Sequence, residues 1–197
     1  MTEGAQSHLF YQTGKRRPVL DKARGVYMWD VAGKRYLDGS SGAMVSNIGH
    51  SNSYVLDAMR RQMEKSTFGY RLHFETLVSE QLAEKTAALA PNGFNRVFFV
   101  SGGSEAVESA LKLARQYAIG IGEEQRWKVI SREPSYHGCT LGALAVTGYG
   151  PLTDPFAPMI QAMPKIPAPR AYLDGLPADD PATGLHYANF LEEKILA

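Results

Sequence analysis

The run Arg96-Val97-Phe98-Phe99-Val100-Ser101-Gly102-Gly103-Ser104-Glu105-Ala106-Val107-Glu108 constrains the fold of this chain more than any other segment. The four apolar residues Val97 to Val100 predict a buried strand, and the glycine–serine turn after them leads straight into a helix that opens near Glu105. A strand that ends where a helix begins aims unpaired backbone N–H groups, together with the positive end of the helix dipole, at whatever occupies the turn. Phosphate is the natural guest of such a turn. Two glycines leave room for a bulky anion, and Ser104 adds a hydroxyl. A serine-capped turn that binds nothing fits Ser101-Gly102-Gly103-Ser104 equally well when the motif stands alone. The turn is neither a Walker loop nor a G-x-G-x-x-G dinucleotide loop.

The helix beyond the turn carries Val107, Ala110, Leu111, Ala114 and Tyr117 as a buried stripe. Glu108 and Lys112 sit on its wet face at i, i+4, and Gly120 and Gly122 end it. A second buried strand, Lys128 to Ser131, completes a strand–helix–strand unit, so the sheet is at least partly parallel. Upstream, Val26 to Asp30 and Lys34 to Asp38 flank a turn at Gly33 and predict a hairpin. Residues 39–50 are rich in small side chains, which let a backbone approach a ligand or another chain closely.

Val55, Leu56, Met59 and Met63 mark an amphipathic helix after Ser53. A break at Ser66 to His73 precedes a second helix from Glu75 to Ala90, with Val78, Leu82 and Leu89 inward and Pro91-Asn92-Gly93 stopping it. Six prolines between Pro151 and Pro169 predict a long irregular excursion. A final helix from Leu185 to Leu196 shows Tyr187, Phe190, Leu191 and Ile195 on one face.

With 21 Lys+Arg against 20 Asp+Glu, the net charge of +1 provides no global field to recruit nucleic acid or an anionic membrane. The single cysteine, Cys139, excludes an internal disulfide and a multi-cysteine metal site. No apolar run is long enough to span a bilayer, and residues 1–12 lack the pattern of a secretory signal. The expectation is a cytoplasmic protein that binds neither nucleic acid nor membrane.

The second informative motif is Ser135-Tyr136-His137-Gly138-Cys139-Thr140, which follows the second strand. Loops after strand C-termini share one edge of a parallel sheet, so Tyr136 is expected near Gly103 and Ser104. An aromatic ring there is suited to stacking on a planar heterocycle. His137 serves equally as a hydrogen-bonding group or as a structural histidine.

The run Val97 to Ala106 followed by Ser135-Tyr136-His137-Gly138 resembles the class III aminotransferases, which are pyridoxal-phosphate enzymes of the aspartate-aminotransferase fold. The hairpin ending Tyr36-Leu37-Asp38-Gly39 and the loop Asn47-Ile48-Gly49-His50 agree in order, so the likeness runs from Pro18 onward. The resemblance implies an α/β architecture of PLP fold type I, here with an incomplete, mostly parallel sheet, helices on both faces and an N-terminal β-hairpin. Residues 1–52 would form the start of a small domain, and residues 53–197 the front of the large cofactor-binding domain.

By the same resemblance, Gly103 and Ser104 bind the phosphate of pyridoxal 5'-phosphate, and Tyr136 stacks on its ring with His137 alongside. Tyr11 and the loop at Ala43 border the substrate pocket. Phe68 and Tyr70 reach towards a partner subunit of a homodimer. Arg71 and Arg170 are candidate carboxylate binders. The implied reaction moves an amino group between an amine or amino acid and a keto acid or aldehyde. Aminomutase or decarboxylase chemistry on the same fold, and a catalytically silent truncated or split-protein module, are the alternatives. The chemistry requires a lysine that bonds to the cofactor and a carboxylate facing the pyridine nitrogen. Neither Lys165 nor Lys194 stands in the expected context, so the chain is expected to lack the catalytic pair and to be inactive alone, as the N-terminal portion of the enzyme.

Overall fold

The computed structural model describes residues 8–10, 14 and 16–197. The backbone gathers into two compact units, Met1–Lys85 and Thr86–Ala197, each described by itself.

The first unit is built on a three-stranded antiparallel sheet of β1 (Leu20–Arg24), β2 (Tyr27–Asp30) and β3 (Arg35–Leu37), in sequential order. The expected hairpin is β2–β3, and the chain leading into it adds β1 as a third strand. Asp30 closes the hairpin from inside the turn. Its Oδ1 accepts the N–H groups of Ala32 (3.0 Å) and Lys34 (2.9 Å), and its Oδ2 accepts the Tyr36 hydroxyl at 2.7 Å. Gly33 supplies the left-handed residue, φ +82°, that lets the chain reverse. The Tyr36 hydrogen bond, helped by the two turn amides, holds the Asp30 carboxyl below its ordinary range against the opposing effect of desolvation.

Two helices follow. α2 (Ser53–Lys65) starts on Asn52, whose side chain accepts the Val55 N–H. α3 (Leu77–Leu89) runs across the division between the two units and ends before Pro91. Val78, Leu82 and Leu89 were expected to face inward, but all three are exposed, Leu89 at 90%. The periodicity is real, but an amphipathic stripe is buried only where another surface covers it. Met59 and Met63 on α2 are exposed for the same reason.

In the second unit α4 (Gly103–Gly120) begins at the glycine turn and ends at Gly122, which takes φ +81°. Its stripe is only partly covered. Val107 and Leu111 are half-buried, Ala110, Ala114 and Tyr117 are exposed, and Ala118 alone is buried. The expected strand at Val97 to Val100 carries no ladder: residues 94–100 form no strand, and Phe98 is 63% exposed. An extended apolar run becomes a strand only when a neighbour completes its hydrogen bonds, and no described strand lies beside it.

The parallel pair is instead β4 (Ser131–Glu133) with β5 (Lys165–Pro167), so the first of these strands lies slightly later than expected. The strand–helix–strand unit is therefore the one that runs through the proline-rich stretch. That stretch is not irregular. It holds α6 (Gly150–Thr153), a 3-10 turn over Asp154–Met159 and β5. Pro151 and Pro155 occupy first-turn positions, where a missing N–H costs nothing.

The core centres on α5 (Leu141–Val146), which is apolar on every side and buried from Ala143 to Val146. Thr147, with no exposed surface, follows it directly. α7 (Pro181–Leu196) starts four residues earlier than periodicity indicates, because Asp180 caps it by accepting the Ala182 N–H at 2.9 Å and Pro181 opens it. Tyr187 and Phe190 are half-buried on α7, while Leu191 and Ile195 are exposed.

Lys165 ties three elements together. Its Nζ donates to Ala145 O at the end of α5 (2.9 Å) and to Ser131 Oγ on β4 (3.3 Å). Desolvation lowers its pKa from the ordinary 10.5, only partly opposed by Glu133. In the complete protein, Lys165→Met is expected to lower stability by about 1–3 kcal/mol by leaving the Ala145 carbonyl without its donor. A folded pKa below the unfolded one means that the unfolded state binds more protons between the two values. The stability margin of the wild type over Lys165→Met should therefore widen as pH rises towards 10.5. Urea unfolding at several alkaline pH values measures both effects.

Candidate functional site

The first turn of α4 is open. Its N-cap residue, Gly102, is extended (φ −168°, ψ 178°), and no side chain caps the helix. A Cβ placed on Gly103 would meet nothing within 4 Å, so the backbone there is free for close approach by an anion. The Glu105 carboxylate leans back towards Gly102, with Oε2 2.9 Å from where a Cβ on that glycine would lie.

The loop that follows β4 docks against this turn. Cys139 N–H donates to Ser104 Oγ at 3.1 Å, and the two side-chain heteroatoms lie 3.7 Å apart. Gly138 makes the approach possible. It has φ +134°, and a Cβ there would fall 2.7 Å from Ser104 Oγ and 2.8 Å from Ala143 Cβ. The structure thus brings Ser104 against the loop that carries Tyr136, through Cys139, although the segment before Ser104 forms no strand.

The rest of the loop is held from behind. Ser135 and Gly148 exchange both backbone hydrogen bonds, at 2.8 and 3.0 Å. Thr147 Oγ1 accepts His137 N–H at 3.0 Å and is itself within donor range of Gly138 O and Ala143 O. Clamped at both sides, Tyr136 is nevertheless 64% exposed. An exposed aromatic ring on an immobilised backbone is a surface ready for a planar ligand. His137 borders a cleft of about 440 Å³ that Val107, Ala110, Val129 and Ile130 also line.

Glu108 does not pair with Lys112 on a wet face. Its Oε1 accepts the Thr140 hydroxyl at 2.7 Å and the Gly142 N–H at 3.0 Å, at the start of α5. Sequence reading missed Glu108, Thr140 and Thr147 as parts of the site. The available signal was the Thr140-Leu141-Gly142 start of α5, a helix opening with no acidic residue of its own.

Ala43 belongs to the first unit. There residues 41–44 form α1 (Ser41–Met44), a short helical turn broken by Gly42 at φ 68°. Ser41, Met44 and Ser51 take positive φ values of 52°, 61° and 54°, a cluster that costs conformational energy and must be held in place. Asp38 supplies the hold. Its Oδ1 accepts the N–H groups of Ser40 (3.2 Å) and Ser41 (2.8 Å), and its Oδ2 accepts from His50 Nε2 at 2.8 Å. Gly25 and His50 exchange backbone hydrogen bonds and pin the far end. Tyr11 lies outside the described residues. Phe68 is exposed, and the Tyr70 ring meets His73 edge-on at 5.2 Å. Arg170 is engaged by Asp174 at 3.4 Å.

The His50 hydrogen bond, followed by the two serine amides, lowers the Asp38 pKa below 3.8 despite desolvation. A carboxylate with a depressed folded pKa contributes stability above its unfolded value and loses it as pH falls through the folded one. The 39–50 segment should therefore stay clamped at neutral pH and loosen below 3.8. Asp38→Asn should loosen it at every pH. Hydrogen exchange at Ser40 and Ser41 reads this directly; unchanged protection in Asp38→Asn would show that the clamp lies elsewhere.

The family description "Aminotransferase class-III" matches residues 10–196. An uncharacterized aminotransferase of Bacillus subtilis is 43% identical over 155 residues, covering 79% of this chain and 35% of the relative. The acetylornithine aminotransferase of Archaeoglobus fulgidus is 38% identical over 158 residues, covering 80% and 40%. A thermostable (S)-enantioselective omega-transaminase from Thermomicrobium roseum superposes with a TM-score of 0.87 at 34% identity, over 96% of this chain and 43% of that one. The chain spans less than half the length of these proteins.

Proposed function

Because the chain belongs to the class-III aminotransferase family, we propose that the complete protein transfers an amino group between an amine or amino acid and a keto acid or aldehyde, with pyridoxal 5'-phosphate as cofactor. The residues seen here contribute the wall that grips that cofactor. One observation supports this above others: the uncapped first turn of α4 is joined through Ser104 to the loop that displays Tyr136.

The residues fit the group. A phosphate has unpaired helix N–H donors, open space over Gly103 and a hydroxyl at Ser104. Cys139 N–H occupies a lone pair of Ser104 Oγ, so the serine proton remains available for a second partner. Tyr136 would cover one face of the ring, with His137, whose backbone N–H is held by Thr147 Oγ1, beside it. When bound, the cofactor supplies an electron-withdrawing ring and an aldehyde that accept the amino group and spread the electrons left by a departing C–H proton. The chain's own part is to bind, orient and shield. Tyr11 and Ala43 enter as substrate-pocket residues on resemblance alone, as do a small domain over 1–52 and a large domain beginning at 53.

We place the lysine that bonds to the cofactor, and the carboxylate facing the pyridine nitrogen, outside these 197 residues. The commitment of Lys165 Nζ to Ala145 O and Ser131 Oγ supports this. We also propose that the protein acts as a cytoplasmic homodimer. The exposed run of Phe68, Tyr70, Leu72 and Phe74 offers apolar surface for a second copy.

Ser104→Ala in the complete protein should weaken pyridoxal 5'-phosphate about tenfold, the effect of one hydrogen bond to a charged acceptor. Unchanged affinity in a spectrophotometric titration would remove the phosphate role. Borohydride reduction with peptide mapping should leave residues 1–197 unlabelled. Keto-acid-dependent loss of amine without CO₂ release separates transfer from decarboxylation.

A further inference from the structure

We propose that Glu108 is a positioning residue: its carboxylate fixes the Tyr136 loop against the first turn of α4, so that the ring contact and the phosphate contact are set by one helix. The proposal rests on the cofactor-site reading above and adds to it a residue that does not touch the cofactor.

Glu108 lies four residues after Ser104, one turn further along the same face of α4. From there a single oxygen, Oε1, accepts both the Thr140 hydroxyl and the Gly142 N–H. Thr140 is the N-cap of α5 but makes no capping hydrogen bond with its own side chain. Glu108 therefore takes over the capping from a neighbouring helix. An ionised acceptor at a helix start is about twice as strong as a neutral one. The carboxylate consequently holds the loop's downstream end more firmly than the Cys139 contact alone.

The second observation concerns the room around the same carboxylate. A Cβ on Gly142 would lie 2.6 Å from Glu108 Oε1 and 2.7 Å from its Cδ, and would also collide with Oε2. The first turn of α5 thus has the shape of a seat for this carboxylate, and only a residue without a side chain at 142 leaves it vacant.

The consequence concerns Ser104. The loop meets α4 at two points, Cys139 on Ser104 and Thr140 with Gly142 on Glu108. Without Glu108, Ser104 would be both the proposed phosphate ligand and the one α4 side chain hydrogen-bonded to the loop among the described residues. With it, Ser104 is relieved of that load, and Tyr136 keeps a constant height over the turn.

The test uses the complete protein and pyridoxal 5'-phosphate. Glu108→Ala should weaken cofactor affinity about tenfold, and Glu108→Gln, which keeps an acceptor oxygen, should recover most of it. Gly142→Ala, which pushes the carboxylate from its seat without removing it, should resemble Glu108→Ala. Thr140→Val, which removes one donor, should cost about threefold, and it serves where Glu108→Ala does not fold. A double-mutant cycle with Tyr136→Leu separates positioning from bulk stability. If Glu108 acts through the ring, Glu108→Ala adds little once Tyr136 is gone, whereas additive losses overturn the proposal. So does a Gln variant as weak as the Ala variant. If Ser104→Ala and Tyr136→Leu leave affinity unchanged, the cofactor-site reading itself falls. If they weaken it while Glu108→Ala and Thr140→Val do not, only the positioning role falls.

Discussion

The absence of a side chain at Gly138 is the constraint on which this site depends. The loop after β4 passes so close to α4 that a Cβ at 138 would sit 2.7 Å from the Ser104 hydroxyl oxygen and 3.0 Å from its Cα. The backbone there also takes φ +134°, outside the range an L side chain accepts readily. Given that approach, Cys139 N–H reaches Ser104, Thr140 reaches Glu108, and Tyr136, three residues before Cys139, is left exposed on the same loop. A residue with a side chain at 138 would separate loop and helix and undo these contacts together.

The site and the core are one piece of structure. Outside α5 and its neighbours the chain buries little: the stripes of α2 and α3 are exposed, and α4 is covered only in part. Among the described residues the longest buried run includes Ala143 to Thr147, which follows the Tyr136 loop in the chain and hydrogen-bonds to it. Thr147 holds that loop through His137 N–H and Gly138 O, while Lys165 secures the end of α5 to both strands of the parallel pair. Close-packed surroundings allow few alternative rotamers or backbone paths. The best-packed part of the chain thus backs the loop that carries Tyr136, the arrangement expected of a binding wall under the proposed function.

What was legible in the sequence was what local chemistry determines. The β2–β3 hairpin followed from alternation around Gly33, α2 from its three- and four-residue steps, and α4 from the glycine turn and Gly122. The rule that loops after parallel strands share an edge led to the expectation that the Tyr136 loop lies near Ser104, and Cys139 does meet Ser104 although no strand precedes that turn. The errors arose where a partner or a competing acceptor decides. Val97 to Val100 has the composition of a strand but no ladder, because strand identity belongs to a pair of segments. Glu108 with Lys112 matches a surface ion pair by spacing, yet the bare N–H groups of α5 offer the carboxylate a better, desolvated partner. Proline content hid α6 and β5, since prolines at first-turn positions punctuate helices without preventing them. The Asp180-Pro181 start of α7 was in plain view, but apolar periodicity, read alone, placed it late.

The placement of charge along α4 follows from the same geometry. Ser104 and Glu108 are one helical turn apart, about 5–6 Å, so an ionised carboxylate stands close to where a phosphate would bind. In open solvent or an apolar pocket that negative charge would oppose the anion. Here it is taken up by the Thr140 hydroxyl and the Gly142 amide at the start of α5. Two helix starts face the same joint. That of α5 receives the Glu108 carboxylate as a hydrogen-bond acceptor, whereas that of α4 has no side-chain cap and holds Glu105 in its first turn. For the proposed phosphate site, the difference is that the backbone N–H groups at the start of α4 have no side-chain cap, while the Glu108 carboxylate one turn away is engaged by the start of α5.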